Sequence, residues 1–162
     1  MKQKLKARED LIQIVKDLKA EGKRIVFTNG CFDLLHIGHV RYLEEAKTLG
    51  DVLVVGVNSD SSVRKLKGPK RPILPEEERT EILSGLGCVD YVTLFDEIDP
   101  LKLIASLQPN VLAKGGDWTK EQIVGKEVVE RSGGEVVVIP YVEEASTSNL
   151  IETILKRHEK NA

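Results

Sequence analysis

Arg24-Ile25-Val26-Phe27-Thr28-Asn29-Gly30-Cys31-Phe32-Asp33-Leu34-Leu35-His36-Ile37-Gly38-His39 changes character twice along its length. Its first five residues are β-rich and stop at the turn pair Asn29-Gly30. From about Ile37 to Leu49, apolar residues recur at helical spacing. The stretch between them is a strand-to-helix crossing, which aims unpaired backbone N–H groups and the positive end of a helix dipole at one point and so favours an anion. At the helix start His36 and His39 flank Gly38, which lacks a Cβ and lets a ligand oxygen approach the backbone. A histidine with an ordinary pKa of about 6.5 gains a proton readily beside a polyphosphate. It can then donate hydrogen bonds to oxygens that become more negative in a transition state. The motif predicts chemistry at phosphorus, in which one phosphate attacks another and catalysis comes from positioning and electrostatics.

Outward from this motif, strand-like runs at about 24–28, 51–58, 89–95, 110–114 and 135–139 alternate with helical patterns. They are mostly continuous apolar runs, as expected of parallel strands buried on both faces. The fold expected is α/β, a single doubly wound parallel-sheet, Rossmann-like domain of about five strands over residues 1–162. Its ligands should sit beyond the carboxyl ends of the strands, where the winding reverses. Leu11, Ile14, Val15 and Leu18 form an i, i+3, i+4, i+7 stripe, so residues 1–22 read as a helical extension packed on the sheet. Pro75-Glu76-Glu77-Glu78 has proline and acids suited to a first helical turn, and Gly85 to Gly87 ends that helix. Ser146-Thr147-Ser148-Asn149 opens the last helix, with Asn149 and Glu152 at capping-box spacing.

A length of 162 residues suits one domain with a substantial core. The formal net charge of −2 argues against general nucleic-acid binding and leaves room for local basic patches. Two cysteines, Cys31 and Cys88, without C-x-x-C spacing indicate neither a disulfide framework nor a thiolate metal cluster, which fits a reducing cytoplasm. Val52 to Val57 is too short to span a bilayer and the charged start lacks a signal core, so a cytoplasmic protein without membrane association is expected. His36 and His39 also suit a metal in principle. The remaining histidine, His158, stands near the chain end and completes no ligand set, so none is expected.

Three further segments carry charge or hydroxyls suited to phosphate. Arg64-Lys65-Leu66-Lys67-Gly68-Pro69-Lys70-Arg71 reads as a mobile basic loop with a Gly-Pro breaker, able to clamp an acceptor phosphate and a triphosphate. Arg79, one turn into the helix that starts at Pro75, could fork onto phosphate oxygens, or pair on the surface with Glu76 or Glu78. Lys114-Gly115-Gly116-Asp117-Trp118 closes the fourth strand; its paired glycines permit an unusual backbone, its carboxylate suits ribose hydroxyls, and its indole suits a base or sugar face. Ser146, Thr147 and Ser148 offer hydroxyls and helix N–H groups, although an N-cap cluster needs no ligand. Glu143 and Glu144 just upstream would repel an unscreened triphosphate.

Gly30, Phe32, Asp33, His36, Gly38 and His39 resemble the G-x-F-D-x-x-H-x-G-H signature of the HxGH nucleotidyltransferase superfamily. That superfamily includes glycerol-3-phosphate and phosphocholine cytidylyltransferases, phosphopantetheine adenylyltransferase and the heptose 1-phosphate adenylyltransferases. The resemblance runs from about Lys23 to Leu155 with several motifs in order. It implies that His36, His39, Lys65 and Arg79 act in catalysis. It further implies that Asn29, Gly30, Cys31, Phe32, Gly38, Lys114, Gly116, Asp117, Ser146, Thr147 and Ser148 bind the nucleotide, and that Lys67, Arg71 and Trp118 bind the acceptor. Asp33 is expected to support the turn by accepting backbone N–H bonds. Mg²⁺ should arrive on the ATP phosphates, with few protein ligands.

Two features separate the branches. Lys-Gly-Gly-Asp followed by an aromatic is most similar to the heptose adenylyltransferases, and Cys31 stands where cytidylyltransferases usually place a threonine. Ser148 departs from the usual threonine and keeps the hydroxyl. The resemblance thus implies ATP and a heptose 1-phosphate as substrates and ADP-heptose, a lipopolysaccharide core precursor, as product. It also implies a sugar kinase on another polypeptide and a possible homodimer. A cytidylyltransferase using CTP and a polyol or amino-alcohol phosphate is the alternative within the enzyme class. A domain that only binds a nucleotide is the alternative outside it, since a fold alone never fixes function.

Overall fold

A computed structural model describes residues 3–116, 119–140 and 146–159. The elements are α1 (Arg8–Ala20), β1 (Ile25–Gly30), α2 (Ile37–Thr48), β2 (Val52–Asn58), α3 (Asp60–Lys67), α4 (Glu76–Gly85), β3 (Tyr91–Phe95), α5 (Leu101–Leu107), β4 (Val111–Gly115), α6 (Lys126–Arg131), β5 (Glu135–Ile139) and α7 (Thr147–His158). A short 3₁₀ turn spans Lys120–Gln122. All five strands are parallel in the order β3-β2-β1-β4-β5, so the winding reverses between β1 and β4. This is the Rossmann-like α/β architecture expected, and each strand begins and ends within two residues of its sequence-based bounds.

Strand alternation distributes the core between two faces. Ile25, Phe27, Val52, Val54, Leu112 and Val136 meet Leu11 and Val15 of α1, Leu103, Ile104 and Leu107 of α5 and Val129 of α6. Val26, Leu53, Val55, Val57, Val111 and Ala113 meet Leu43 and Ala46 of α2 and Leu83 of α4. Burying each of the larger side chains contributes about 1.5–3 kcal/mol before the entropy of ordering is counted. Of the expected stripe on α1, Leu11 and Val15 are fully inside and Leu18 packs against the core, whereas Ile12 and not Ile14 completes the packed face.

The ladders are uneven. β1 pairs with β2 from Ile25 to Gly30, whereas its register with β4 holds only at Val26–Val111 and Phe27–Leu112. Beyond Phe27 the pairing of β1 with β4 ceases, and the switch point opens at its carboxyl end.

The basic stretch differs from expectation. Arg64 to Lys67 form the last turn of α3, and the loop begins only at Gly68. Ser59 caps this helix by accepting the Ser62 N–H, Val63 is buried, and Gly68 ends it at φ +93°. With Val63 and Leu66 as its only branched apolar residues, the segment has no stripe to announce a helix. Pro75 is the residue before the first turn of α4, not within it. At α7 the cap is Ser146, whose hydroxyl accepts the Asn149 N–H at 3.0 Å, so the expected Asn149–Glu152 box lies a turn inside the helix. Glu152 pairs instead with Lys156, 2.5 Å away.

Candidate active site

Over the β1–β4 opening lies a crevice of about 980 Å³. Its floor is the turn after β1. Phe32 there adopts φ +47°, a left-handed conformation that costs an L-residue energy, and its ring is buried against the turn. A Cβ on Gly30 would stand 3.0 Å from that ring, so glycine is what lets the ring fold over the strand end. Phe32 also tilts against His39, with centroids 5.4 Å apart.

His36 is the N-cap of α2, and His39 lies on its first turn. Their rings lie 3.8 Å apart at 30°. The His36 N–H points at His39 Nδ1 across a long 3.4 Å, which leaves the proton of neutral His39 on Nε2. Among the described residues His36 Nδ1 is buried without a hydrogen-bond partner. Burial lowers the pKa of both rings, and proximity to His36 adds to the effect on His39, which falls to about 4. Both imidazoles are therefore neutral near neutral pH, and a polyphosphate beside them would supply charge that draws protons onto them.

Beneath the turn lies a buried lattice of ions. Asp33 accepts N–H bonds from Ile73 and Leu74 at 2.8–2.9 Å and pairs with the Arg71 guanidinium. Burial pushes its carboxyl up, and the bonds from Leu74, Ile73 and Arg71 outweigh this, so it ionises below the usual carboxylate range. Asp33 accepts backbone N–H bonds as expected, but from a segment 40 residues away and not from its own turn. Arg79 requires a correction. Its side chain is 0 % exposed and donates to the carbonyls of Leu74, Cys31 and Asn58 and, at 2.7 Å, to Asp60. The guanidinium fork is engaged by protein oxygens, and Arg79 is not among the residues that line the crevice, although it braces Cys31 and Asn58, which are.

The other expected residues divide. Asn29, Gly30, Cys31, Phe32, Gly38, Lys67, Arg71, Lys114, Ser146, Thr147 and Ser148 line the crevice with both histidines. Lys65 does not: it is exposed on α3, and its neighbours Leu66 and Lys67 face the opening instead. Gly116 is likewise absent from the wall; it takes φ +109° and donates its N–H to Ile139. Asp117, Trp118, Glu143 and Glu144 lie outside the described residues.

Lys114 is mostly buried, and its ammonium donates to Asn29 Oδ1 at 2.7 Å across the β1–β4 gap. Burial lowers its pKa to about 8. Thr147 ties the start of α7 to the motif turn through a 3.3 Å bond to the Leu34 carbonyl. Sequence reasoning missed the rim formed by Ile98-Asp99-Pro100 and Gln122-Ile123-Val124, together with Tyr42, Asn58 and Asn149. The rim residues precede α5 and α6, and only strand order could have brought them to the crevice. Among the described residues no group of three or more His, Cys, Asp or Glu gathers to hold a metal ion. Nor is any helix there long and apolar enough to cross a membrane.

A parallel sheet that opens at its switch point onto paired histidines, buried and exposed cations and a hydroxyl-capped helix is an arrangement suited to holding phosphate groups. The cytidylyltransferase-like family model matches residues 27–158, and the chain belongs to that family. It is 57% identical over 155 residues to the bifunctional protein HldE of Pelobacter propionicus, and 60% identical over 151 residues to that of Geotalea uraniireducens. These alignments cover 96% and 93% of this chain, which spans about a third of the relatives' length (32% and 31%). Among solved structures, a lipopolysaccharide core biosynthesis protein from Thermoplasma volcanium matches with a TM-score of 0.63 and 32% identity, over 76% of this chain and all of the other. A pantoate-beta-alanine ligase from Francisella tularensis, solved in complex with beta-gamma ATP and beta-alanine, has a TM-score of 0.63 at 17% identity over 86% of this chain and 67% of its own, and shares the fold.

Proposed function

We propose that this domain transfers an adenylyl group from ATP to D-glycero-β-D-manno-heptose 1-phosphate, giving ADP-heptose and pyrophosphate for lipopolysaccharide core synthesis. The observation that carries the reading is the stacked His36–His39 pair at the start of α2, set in a crevice that Lys67, Arg71 and Lys114 also line. A sugar-phosphate oxygen attacks the α-phosphorus in line, the bond from that phosphorus to the β-bridging oxygen breaks, and pyrophosphate leaves with the electron pair. His36 and His39 hold the α-phosphate oxygens as charge grows there. Ser146, Thr147 and Ser148, with the free N–H groups of α7, receive the β- and γ-phosphates. Mg²⁺ enters as part of the substrate, bound to the triphosphate.

Relatives named as bifunctional HldE proteins and a structural match named for lipopolysaccharide core biosynthesis support the acceptor. Cys31 on the turn and Lys114-Gly115-Gly116 at the β4 end support ATP over CTP. The sugar 1-phosphate has to be supplied by a sugar kinase, and the reaction is placed in the cytoplasm. Pyrophosphate release with Mg²⁺, crossing ATP and CTP against heptose 1-phosphate, glycerol 3-phosphate and phosphocholine, tests the reading. Turnover confined to ATP with heptose 1-phosphate is expected. Turnover with CTP and glycerol 3-phosphate or phosphocholine would reassign the substrates.

A further inference from the structure

Alone among the described α-helices, α7 buries no side chain. It nevertheless carries an apolar stripe. Leu150, Ile151, Ile154 and Leu155 recur at i, i+1, i+4 and i+5, which at 3.6 residues per turn sets them on one face. Leu150, Ile154 and Leu155 are 38, 51 and 54% exposed. Single exposed apolar residues need no explanation, whereas a contiguous stripe marks a surface made for contact.

The stripe is the same in both directions. In Leu150-Ile151-Glu152-Thr153-Ile154-Leu155 the leucines stand outermost and the isoleucines inside them. Laid antiparallel against a second copy, about a two-fold axis between Glu152 and Thr153, Leu150 of each copy meets Leu155 of the other and Ile151 meets Ile154. A two-fold interface needs that self-complementarity, because one surface must match itself. Charge agrees with the pairing. The last turn of α7 is basic, with Lys156, Arg157 and His158, and its first turn carries no acid. In the antiparallel register the basic turn of each copy comes level with the first turn of the other. Lys156 is engaged by Glu152, while no ion pair among the described residues holds Arg157. Glu159, two residues on, falls on the opposite side of the helix from Arg157.

We propose that two copies of this chain pair antiparallel through α7, and that the partner's Arg157 completes the triphosphate end of the crevice, so that each site is built from both copies. The second clause rests on the nucleotidyl-transfer reading, and the first does not. Ser146 to Asn149 line the crevice with hydroxyls, an amide and helix N–H groups, while its cations Lys67, Arg71 and Lys114 come from α3, the loop after it and β4. The partner's Arg157 brings a cation to the start of α7, where N–H groups and a guanidinium together favour an anion. Four side chains a copy fall well short of the roughly 20–30 residues a side of a stable interface. The pair is therefore weak by itself, and a triphosphate held by both copies tightens it.

Analytical ultracentrifugation of the full chain, with and without Mg²⁺ and α,β-methylene-ATP, tests both clauses. A monomer–dimer equilibrium is expected, and the analogue should lower the dimer Kd about tenfold. Ile154→Glu, at a position the core does not use, should leave a monomer with unchanged circular dichroism. Arg157→Ala should dimerise like the wild type without the analogue and lose the tightening. A wild type still monomeric at about 200 µM, or a dimer that Ile154→Glu leaves intact, overturns the pairing. In such a monomer, nuclear Overhauser contacts from Ile154 to Leu49 or Val137 would seat the stripe in the groove between α2 and β5 of its own chain. Tightening that survives Arg157→Ala overturns the shared site. An analogue that binds neither form removes the nucleotide reading and the shared site with it, while a dimer abolished by Ile154→Glu still upholds the pairing.

Discussion

Two helices of equal length offer their N-termini to the crevice, and they are supported in opposite ways. α2 buries Leu43 and Ala46, and its entry turn rests on Asp33 and Arg79, both inside the protein. α7 buries no residue, leaves Leu150, Ile154 and Leu155 exposed, and is held to the turn by the Thr147–Leu34 bond. Both use the same physics of free N–H groups and helix dipole. The difference matches what each would hold in the proposed reaction. A displacement of about 1 Å at the reacting phosphorus can cost a hundredfold in rate, whereas a leaving group must be gripped and then released.

The largest expected effect tests the rigid side. Arg79→Met strips one partner from Asp60 and three carbonyls, and should destabilise the protein by about 3–5 kcal/mol, as breaking a buried pair does. Urea unfolding measures it, and a loss under about 1 kcal/mol would show that the turn does not depend on this lattice. Next, His39→Ala should remove about 2.7–4 kcal/mol of transition-state stabilisation, a drop in kcat of a hundredfold or more with little change in ATP affinity. A near-normal kcat would end the catalytic role of the pair.

The pH dependence is smaller and has a definite sign. Burial and His36 lower the His39 pKa from 6.5 to about 4, so the unfolded chain binds more protons than the folded one in that window. Stability should therefore fall as pH drops from 6.5 toward 4. A bound triphosphate raises the same pKa, so ATP binding should take up protons near about pH 5–6. Calorimetry in buffers of different ionisation enthalpy reads that uptake, and it should vanish in His39→Ala. The least effect belongs to the loose side. Ser146→Ala should cost α7 about 1 kcal/mol, seen as faster amide exchange at Thr147 to Leu150 without nucleotide and little change at α2. Equal slowing of both helices when ATP binds would erase the contrast between them.

The sequence revealed most of the rigid side and little of the rest. Continuous apolar runs announce buried parallel strands, and Gly30 to His39 carries its turn chemistry within ten contiguous residues. α3 stayed hidden because, from Asp60 to Lys67, only Ser62 and Val63 are buried, too few to form a stripe. Ser59 before it and Gly68 after it are cap signals that could have been read. Arg79 was misplaced because helical spacing does not say which face meets the core, and an arginine at a buried position looks no different in sequence from one at a surface. The rim at Ile98 to Pro100 and Gln122 to Val124 is assembled by strand order alone, from segments that share no local pattern with the histidine motif.

The uneven ladder also fixes where the molecule yields under load. Two registered pairs join β1 to β4, against five or six at each of the other three junctions. A force drawing the sheet apart sideways meets least resistance along that line, and the three strands β3-β2-β1 would part there from the two strands β4-β5 as blocks. Lys114 and Asn29 stitch the line above the last registered pair, so the 2.7 Å bond from ammonium to amide oxygen is a side-chain tie across the least-laddered junction in the sheet.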